Sequence, residues 1–153
     1  MNLITDKWIP VLREHGPDKI APWQIVEPEN RVIEINAPRP DFQGALYQFL
    51  IGLLQTAFAP TDEEEWQEYW EEMPEPHDLR EAFEGEDLKK VFELDFKNGT
   101  GFMQDRDDFE QEWLPIEDLI GGTLSENTRK KNRAFFVKTQ QIETVSPYWA
   151  AMA

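Results

Sequence analysis

The residues best suited to bind a ligand form one short basic segment late in the sequence. Five cations and no acid fall within residues 129–138, which we call the basic segment. Cations of this density can follow a phosphate backbone while an aromatic ring stacks on a base. The alternative is a solvated loop whose phenylalanines pack into the core, and composition alone favours that alternative. The candidate binding residues are Arg129, Lys130, Lys131, Asn132, Arg133, Phe135, Phe136 and Lys138.

Residue types used in catalysis and metal binding form no recognisable site. The absence of Cys excludes a thiolate zinc site, a disulfide scaffold and a cysteine nucleophile. His15 and His77 have no second histidine at metal-ligand spacing, so both are expected at the surface. Adjacent acids such as Asp107 and Asp108 are expected by chance in a chain with 31 Asp and Glu. No nucleophile elbow, phosphate-binding glycine loop or dinucleotide fingerprint is present. We therefore expect a protein that is not an enzyme and holds no cofactor or metal.

The net charge of −16 is concentrated in the middle third of the chain. Residues 61–110 carry nineteen acidic and five basic side chains, whereas residues 111–153 carry five of each. A surface this acidic repels nucleic acid. The isolated chain should therefore bind free nucleic acid poorly. We expect it to work inside an assembly whose other subunits supply most of the positive charge.

Composition indicates a folded protein with no membrane segment. Of the 153 residues 40% are hydrophobic, which is enough for a core in one ordinary domain. No apolar run approaches the 18 residues of a membrane span, and no signal-peptide pattern opens the chain. The expected location is the cytoplasm.

Short strands are predicted near the N-terminus and in the middle of the chain. Residues 8–12 and 31–35 have strand character, and residues 15–18 read as a turn. Pro10 lacks an amide donor, so the first strand should lie at a sheet edge or begin near this residue. Residues 92–96 alternate in polarity, and Asn98 with Gly99 predicts a β-hairpin that returns at residues 101–104.

Helical periodicity accounts for most of the remaining chain. Residues 40–58 contain apolar side chains at helical spacing and no charge after Asp41, which predicts a central helix covered on most sides. Residues 61–73 form a second helix, for which Thr61 and Glu64 predict a capping box. Its stripe of Trp66, Tyr69, Trp70 and Met73 is interpreted as core and not as a base-stacking platform.

Three shorter helices and one long loop complete the prediction. Helices are expected at residues 78–90 with an interruption at Gly85, at residues 115–120, and from Ser146 onward. Residues 123–145 show no clean periodicity and should form a flexible basic loop. The fold class is therefore α+β, with small antiparallel β elements packed around a central apolar helix. Because the last helix is apolar and uncapped, we expect the N-terminal part of a longer protein.

Four blocks of sequence, at residues 1–11, at 37–41 with 50–60, at 102–104 and at 115–120, together resemble the CasA family, the large subunits of type I-E CRISPR Cascade complexes. The opening residues 1–11 are similar to the start of that family, and so are residues 37–41 leading into residues 50–60. Residues 102–104 and 115–120 match the same pattern in order. The resemblance covers essentially the whole chain and identifies it as the N-terminal portion of a CasA-like domain, residues 1–153.

The resemblance implies a non-catalytic role in antiviral defence. Members of this family support recognition of the protospacer-adjacent motif and opening of target DNA, contact the 5′ handle of the guide RNA and present a platform to a helicase-nuclease. The implied partners are thus other Cascade subunits, guide RNA, target double-stranded DNA and that helicase-nuclease. The implied RNA-docking loop is the basic one, in which Phe135 or Phe136 takes the place of the loop-base aromatic.

Two departures from the family pattern limit what carries over. The glycine loop and the C-terminal four-helix bundle of the family have no counterpart in this chain, and Gly121 with Gly122 is not that glycine loop. Some members carry a Cys-x-x-Cys motif where this chain has residues 146–149 without cysteine, so a zinc site is not supported.

Two other kinds of protein fit the composition. An acidic DNA mimic would block a DNA-binding protein with carboxylates spaced like phosphates, but it would avoid a basic loop. A general α+β interaction domain would have no nucleic-acid role.

Overall fold

A computed structural model shows an α+β protein, as the sequence predicts. It describes residues 1–94, 101–104, 116, 119, 131 and 142–153. The chain divides into two compact units, Met1–Arg106 and Asp107–Ala153. No helix among the residues so described has both the length and the apolar composition needed to cross a bilayer.

The first unit begins with a three-stranded antiparallel sheet. Strands β1 (Ile9–Arg13), β2 (Gly16–Ile20) and β3 (Val32–Ile35) lie in the order β2-β1-β3. The strands predicted at residues 8–12 and 31–35 correspond to β1 and β3, and each predicted end lies within one residue of the observed end. The predicted turn at residues 15–18 is confirmed only for His15, since the turn lies at Glu14 and His15. Pro17 and Asp18 belong to strand β2, where they pair with Leu12 and Val11.

Pro10 lies near the start of the central strand. The prediction that its strand lies at a sheet edge is therefore wrong, and the alternative, that the strand begins near Pro10, is confirmed. Pro10 is the second residue of β1, and its carbonyl oxygen accepts a hydrogen bond from the Asn36 amide at 2.9 Å. The nitrogen and carbonyl of one strand residue point to the same side. The missing amide therefore faces β3 just before that pairing begins at Val11 and Ile35, where one absent donor is tolerated.

Four helices follow the sheet within the same unit. They are α1 (Pro40–Ala57), α2 (Glu63–Glu71), α3 (Pro76–Phe83) and α4 (Glu86–Val91), and a 3-10 helix at Pro22–Val26 precedes β3. The predicted interruption at Gly85 is confirmed, since this residue separates α3 from α4. Pro40 and Pro76 occupy first-turn positions, where the absent amide leaves no helix bond unmade.

Helix α1 supplies one wall of the core but is more exposed than predicted. It buries Phe42, Leu46, Leu50 and Leu53. The core cluster joins Leu53 to Ile4, Leu79 and Phe83, so the N-terminal segment, α1 and α3 meet there. The opposite face of α1 is open, with Tyr47 at 45% and Ile51 at 55% exposure. Within the described part of the chain, the prediction that this helix is covered by other elements on most sides is thus wrong.

The predicted β-hairpin is described only in part. Glu93 forms an antiparallel bridge with Asn2, and the Phe102 amide donates to the Glu93 carbonyl oxygen at 2.8 Å. Phe92 and Phe102 stack at a centroid distance of 4.9 Å. These contacts join the two predicted arms, while residues 95–100, which contain the predicted Asn-Gly turn, lie outside the described residues.

The second unit is described at residues 116, 119, 131 and 142–153. Ile116 and Leu119, within the predicted helix at residues 115–120, have helical backbone conformation, and the rest of that prediction lies outside the described residues. Helix α5 (Pro147–Met152) starts where predicted, because the Ser146 hydroxyl accepts a hydrogen bond from the Trp149 amide at 3.3 Å.

Candidate functional site

The structure places one of the eight predicted binding residues. Lys131 is exposed in a turn. The other seven lie outside the described residues, as does most of the predicted loop at residues 123–145, so the RNA-docking role of the basic segment remains a prediction. The missing seven are Arg129, Lys130, Asn132, Arg133, Phe135, Phe136 and Lys138.

The start of the acidic helix α2 differs from its predicted capping box. Asp62, and not Thr61, is the N-cap, and its Oδ1 accepts a hydrogen bond from the Glu65 amide at 2.9 Å. Glu65, and not Glu64, reaches back, and its Oε2 accepts from both the amide and the hydroxyl of Thr61 at 2.7 Å. The cap lies one residue later than predicted, because Asp caps a helix as well as Thr does. The predicted capping box is wrong, since the Glu65 carboxylate returns to Thr61 and not to the amide of the N-cap residue.

Glu65 links the helix start to the aromatic stripe. Its other oxygen, Oε1, accepts a hydrogen bond from the Tyr69 hydroxyl at 3.0 Å. The hydrogen bonds from the Thr61 amide and hydroxyl, and then that from Tyr69, lower the pKa of Glu65. The same Glu65 hydrogen bond raises the pKa of Tyr69. The Glu65 carboxylate thus connects Thr61, which precedes the helix, with Tyr69 in the second turn of α2.

The aromatic stripe of α2 is not core, so that interpretation is wrong. None of the nine residues of this helix is buried, and Trp66, Trp70 and Met73 are 55%, 77% and 71% exposed. The two indoles stack on each other at 5.7 Å with an interplanar angle of 12°. The Tyr69 ring packs edge-on against Phe58 at 6.1 Å, and Phe58 in turn packs against the core cluster.

An open apolar groove lies between α2 and the body of the first unit. It has a volume of about 280 Å³. Leu54, Phe58 and Leu79 line it on one side, and Trp66, Trp70 and Met73 on the other. We call it the α2 groove. The residue types of the stripe could have indicated this groove from the sequence. Trp, Tyr and Met are typical of interface centres, whereas buried helices favour Leu, Ile and Val.

The histidines lie at the surface, as predicted. His15 is exposed in the β1–β2 turn. The His77 ring is 75% exposed, with Nε2 at 3.0 Å from an Asp78 carboxylate oxygen. Across the part of the chain that the structure describes, no group of three or more His, Cys, Asp and Glu could hold a metal ion.

The opening residues that carry the resemblance have structural contacts. Asn2 is 7% exposed, and its Oδ1 accepts hydrogen bonds from the amides of Ile4 and Thr5 at 3.0 and 3.2 Å. Its Nδ2 donates to the Lys89 carbonyl oxygen at 2.8 Å. Trp8 is 1% exposed and donates its indole N–H to the Leu3 carbonyl oxygen at 2.8 Å. Asn2 and Trp8 therefore stabilise the fold of this stretch.

The chain matches one protein family and several solved structures. The family model of CRISPR-associated protein Cse1 matches residues 2–153. The crystal structure of Thermobifida fusca Cse1 is similar with a TM-score of 0.71 and 20% identity over 99% of this chain and 28% of that one. No curated protein sequence matches the chain.

Two other relatives have the same fold over a smaller share of the chain. Thermus thermophilus CasA (Cse1) has a TM-score of 0.59 and 24% identity over 78% of this chain and 25% of that one. Cse1 from Acidimicrobium ferrooxidans has a TM-score of 0.57 and 21% identity over 70% of this chain and 21% of that one. The chain thus spans between 21% and 28% of the length of these relatives.

The family model covers nearly every residue, and the α+β fold agrees with the solved structures. The resemblance seen in the four sequence blocks is confirmed. The chain belongs to the CRISPR-associated Cse1 family, whose Thermus member is also called CasA.

Proposed function

We propose that the chain is part of a non-catalytic subunit of a type I-E Cascade complex. In this role the basic segment docks on the 5′ handle of the guide RNA, and the subunit supports recognition of the protospacer-adjacent motif and binding of target DNA. A helicase-nuclease then joins the assembled complex. The observation that carries the proposal is the Cse1 family match over residues 2–153.

The charge distribution supports a docking role within an assembly. Residues 61–110 carry a net charge of −14, which opposes binding of free nucleic acid. The basic segment concentrates five cations in ten residues, and Lys131 is exposed to solvent. In this role RNA held by other subunits contacts the basic segment, and the acidic helix α2 makes no contact with RNA.

The test replaces four cations of the basic segment with alanine, as R129A/K130A/K131A/R133A. We expect weaker assembly with a Cascade complex that lacks this subunit and carries guide RNA. The slope of log affinity against log salt should flatten by about 0.7 for each lost contact to single-stranded phosphate, because fewer counterions are released. Assembly is measured by titration at several salt concentrations.

A matched control removes four exposed cations from the first unit, as K7A/K19A/R31A/K89A. Both variants have the same net charge, so the control should keep the wild-type salt slope. An equal slope for the wild type and the basic-segment variant would reject the RNA-docking role. Phe135→Ala should weaken assembly more than it lowers stability, whereas a loss of folding would identify Phe135 as a core residue.

A further inference from the structure

The α2 groove combines apolar walls with several large apolar side chains that are exposed side by side. Trp66, Trp70 and Met73 are each more than half exposed on the outer wall. Leu54 and Phe58 at the end of α1 form the inner wall. Leaving such side chains in water forgoes the free energy of burial, and contiguous patches of this kind mark interaction sites.

Carboxylates line a depression that adjoins the groove and shares Tyr69 and Met73 with it. Glu68, Glu71, Glu72, Glu75 and Asp78 line the adjoining depression together with Tyr69 and Met73, and all five acids are exposed. No lysine or arginine lines the groove or this depression among the described residues. Arg80 on α3 is engaged elsewhere, with its Nε at 2.9 Å from Glu84 and its guanidinium over the Trp23 ring.

We propose that the α2 groove binds a cationic segment of a partner protein that presents one or more large apolar side chains. The apolar side chains would enter between the tryptophan pair and the end of α1. Lysines and arginines beside them would pair with the five carboxylates, and an arginine can also stack on the exposed face of Trp70.

Charge complementarity selects this occupant over the two main alternatives. A nucleic acid could stack on the indoles, but its phosphates would face the carboxylate rim and be repelled. A second copy of the chain bound about a twofold axis would place the same carboxylates opposite each other. A basic amphipathic polypeptide satisfies both the apolar walls and the acidic rim.

The probe is a short dye-labelled peptide with leucines at helical spacing and lysine or arginine at most other positions. Binding to the whole protein is measured by fluorescence anisotropy. The variant W66S/W70S should weaken binding about 30-fold or more, as for residues at an interface centre. The control Y47S/I51S removes two exposed apolar side chains from α1 and should bind within about twofold of the wild type.

The acidic rim is tested separately. The variant E68Q/E71Q/E72Q should weaken binding and flatten its salt dependence. The control E14Q/E29Q/E34Q removes three exposed carboxylates near the sheet. It should leave the peptide affinity and its salt dependence unchanged. For a peptide with serine in place of leucine, the wild type and W66S/W70S should bind with equal affinity. Circular dichroism checks that each variant is folded.

Hydroxyl-radical footprinting of Trp66 and Trp70 completes the test. We expect both indoles to be modified in the unbound protein and protected by the cationic peptide. Protection before any peptide is added would overturn the proposal, because the protein itself would then fill the groove. Protection by a single-stranded RNA oligonucleotide, or equal weakening by W66S/W70S and Y47S/I51S, would also overturn it. None of these readouts depends on the basic segment or on Cascade assembly.

Discussion

Single residues at the N-terminus hold the first unit together. Asn2 is the clearest case, because its amide group joins the opening segment to the end of α4. Replacing it with alanine leaves the amides of Ile4 and Thr5 without an acceptor in a part of the protein where water has little access.

We expect Asn2→Ala to lower the free energy of unfolding by about 3 kcal/mol, since buried polar groups lose their partners. Urea denaturation measures the change. Asn30→Ala alters an exposed asparagine and should stay within about 0.5 kcal/mol of the wild type. Equal effects of the two substitutions would contradict the structural role of Asn2.

Glu65 makes the stability of the start of α2 depend on pH. Hydrogen bonds from Thr61 and Tyr69 lower the pKa of Glu65 in the folded protein below its ordinary value of 4.5. A depressed folded pKa means that the stabilisation is present above the unfolded pKa and lost as pH falls through the folded one. The start of α2 should therefore loosen at acidic pH.

Carbon-detected NMR titration of the Glu65 carboxyl group measures this pKa. The variant T61V/Y69F removes both hydroxyl donors but keeps the Thr61 amide. We expect its Glu65 titration midpoint to rise toward the ordinary glutamate value. An unchanged midpoint would mean that these hydroxyl groups do not stabilise the carboxylate.

At the scale of elements, α2 depends on its cap more than on packing. Asp62→Ala removes the hydrogen bond to the Glu65 amide and should destabilise the helix by about 1 kcal/mol. Hydrogen exchange of the α2 amides should become about fivefold faster, with α1 unaffected. Asp62→Ser keeps a capping oxygen and should preserve protection. Faster exchange across both helices would show that α2 is part of the core.

Periodicity predicted the helices because their spacing is local, but it does not say what lies on the apolar face. The residues of α1 were found from spacing, yet the same reasoning placed Trp66 and Trp70 in the core. Strand β2 was missed because Gly16, Pro17 and Asp18 have turn character and pair only through the neighbouring strand. The cap was shifted by one residue because Thr61 and Asp62 are both good caps.

Less of the candidate site than of the fold could be predicted from the sequence. Residue types and charge counts singled out the basic segment, and Lys131 is exposed as a docking residue must be. The α2 groove could not be predicted in the same way, because it depends on where α2 lies against Leu54, Phe58 and Leu79. Long-range placement of this kind is not encoded in any single helical repeat.

At the scale of the whole molecule, charge is divided between an acidic middle third and a short basic segment. This division is consistent with the role proposed above, in which the basic segment contacts RNA and the acidic helix does not. The α2 groove adds a second surface, suited to a basic protein partner.

The most direct test is site-specific photo-crosslinking in a Cascade complex assembled with guide RNA. A benzophenone amino acid is placed at Lys131 in one variant and at Glu72 on the acidic side in another, both of which are exposed. We predict a crosslink from position 131 to the 5′ handle of the guide and none to RNA from position 72. A crosslink to RNA from position 72, with none from position 131, would contradict the account.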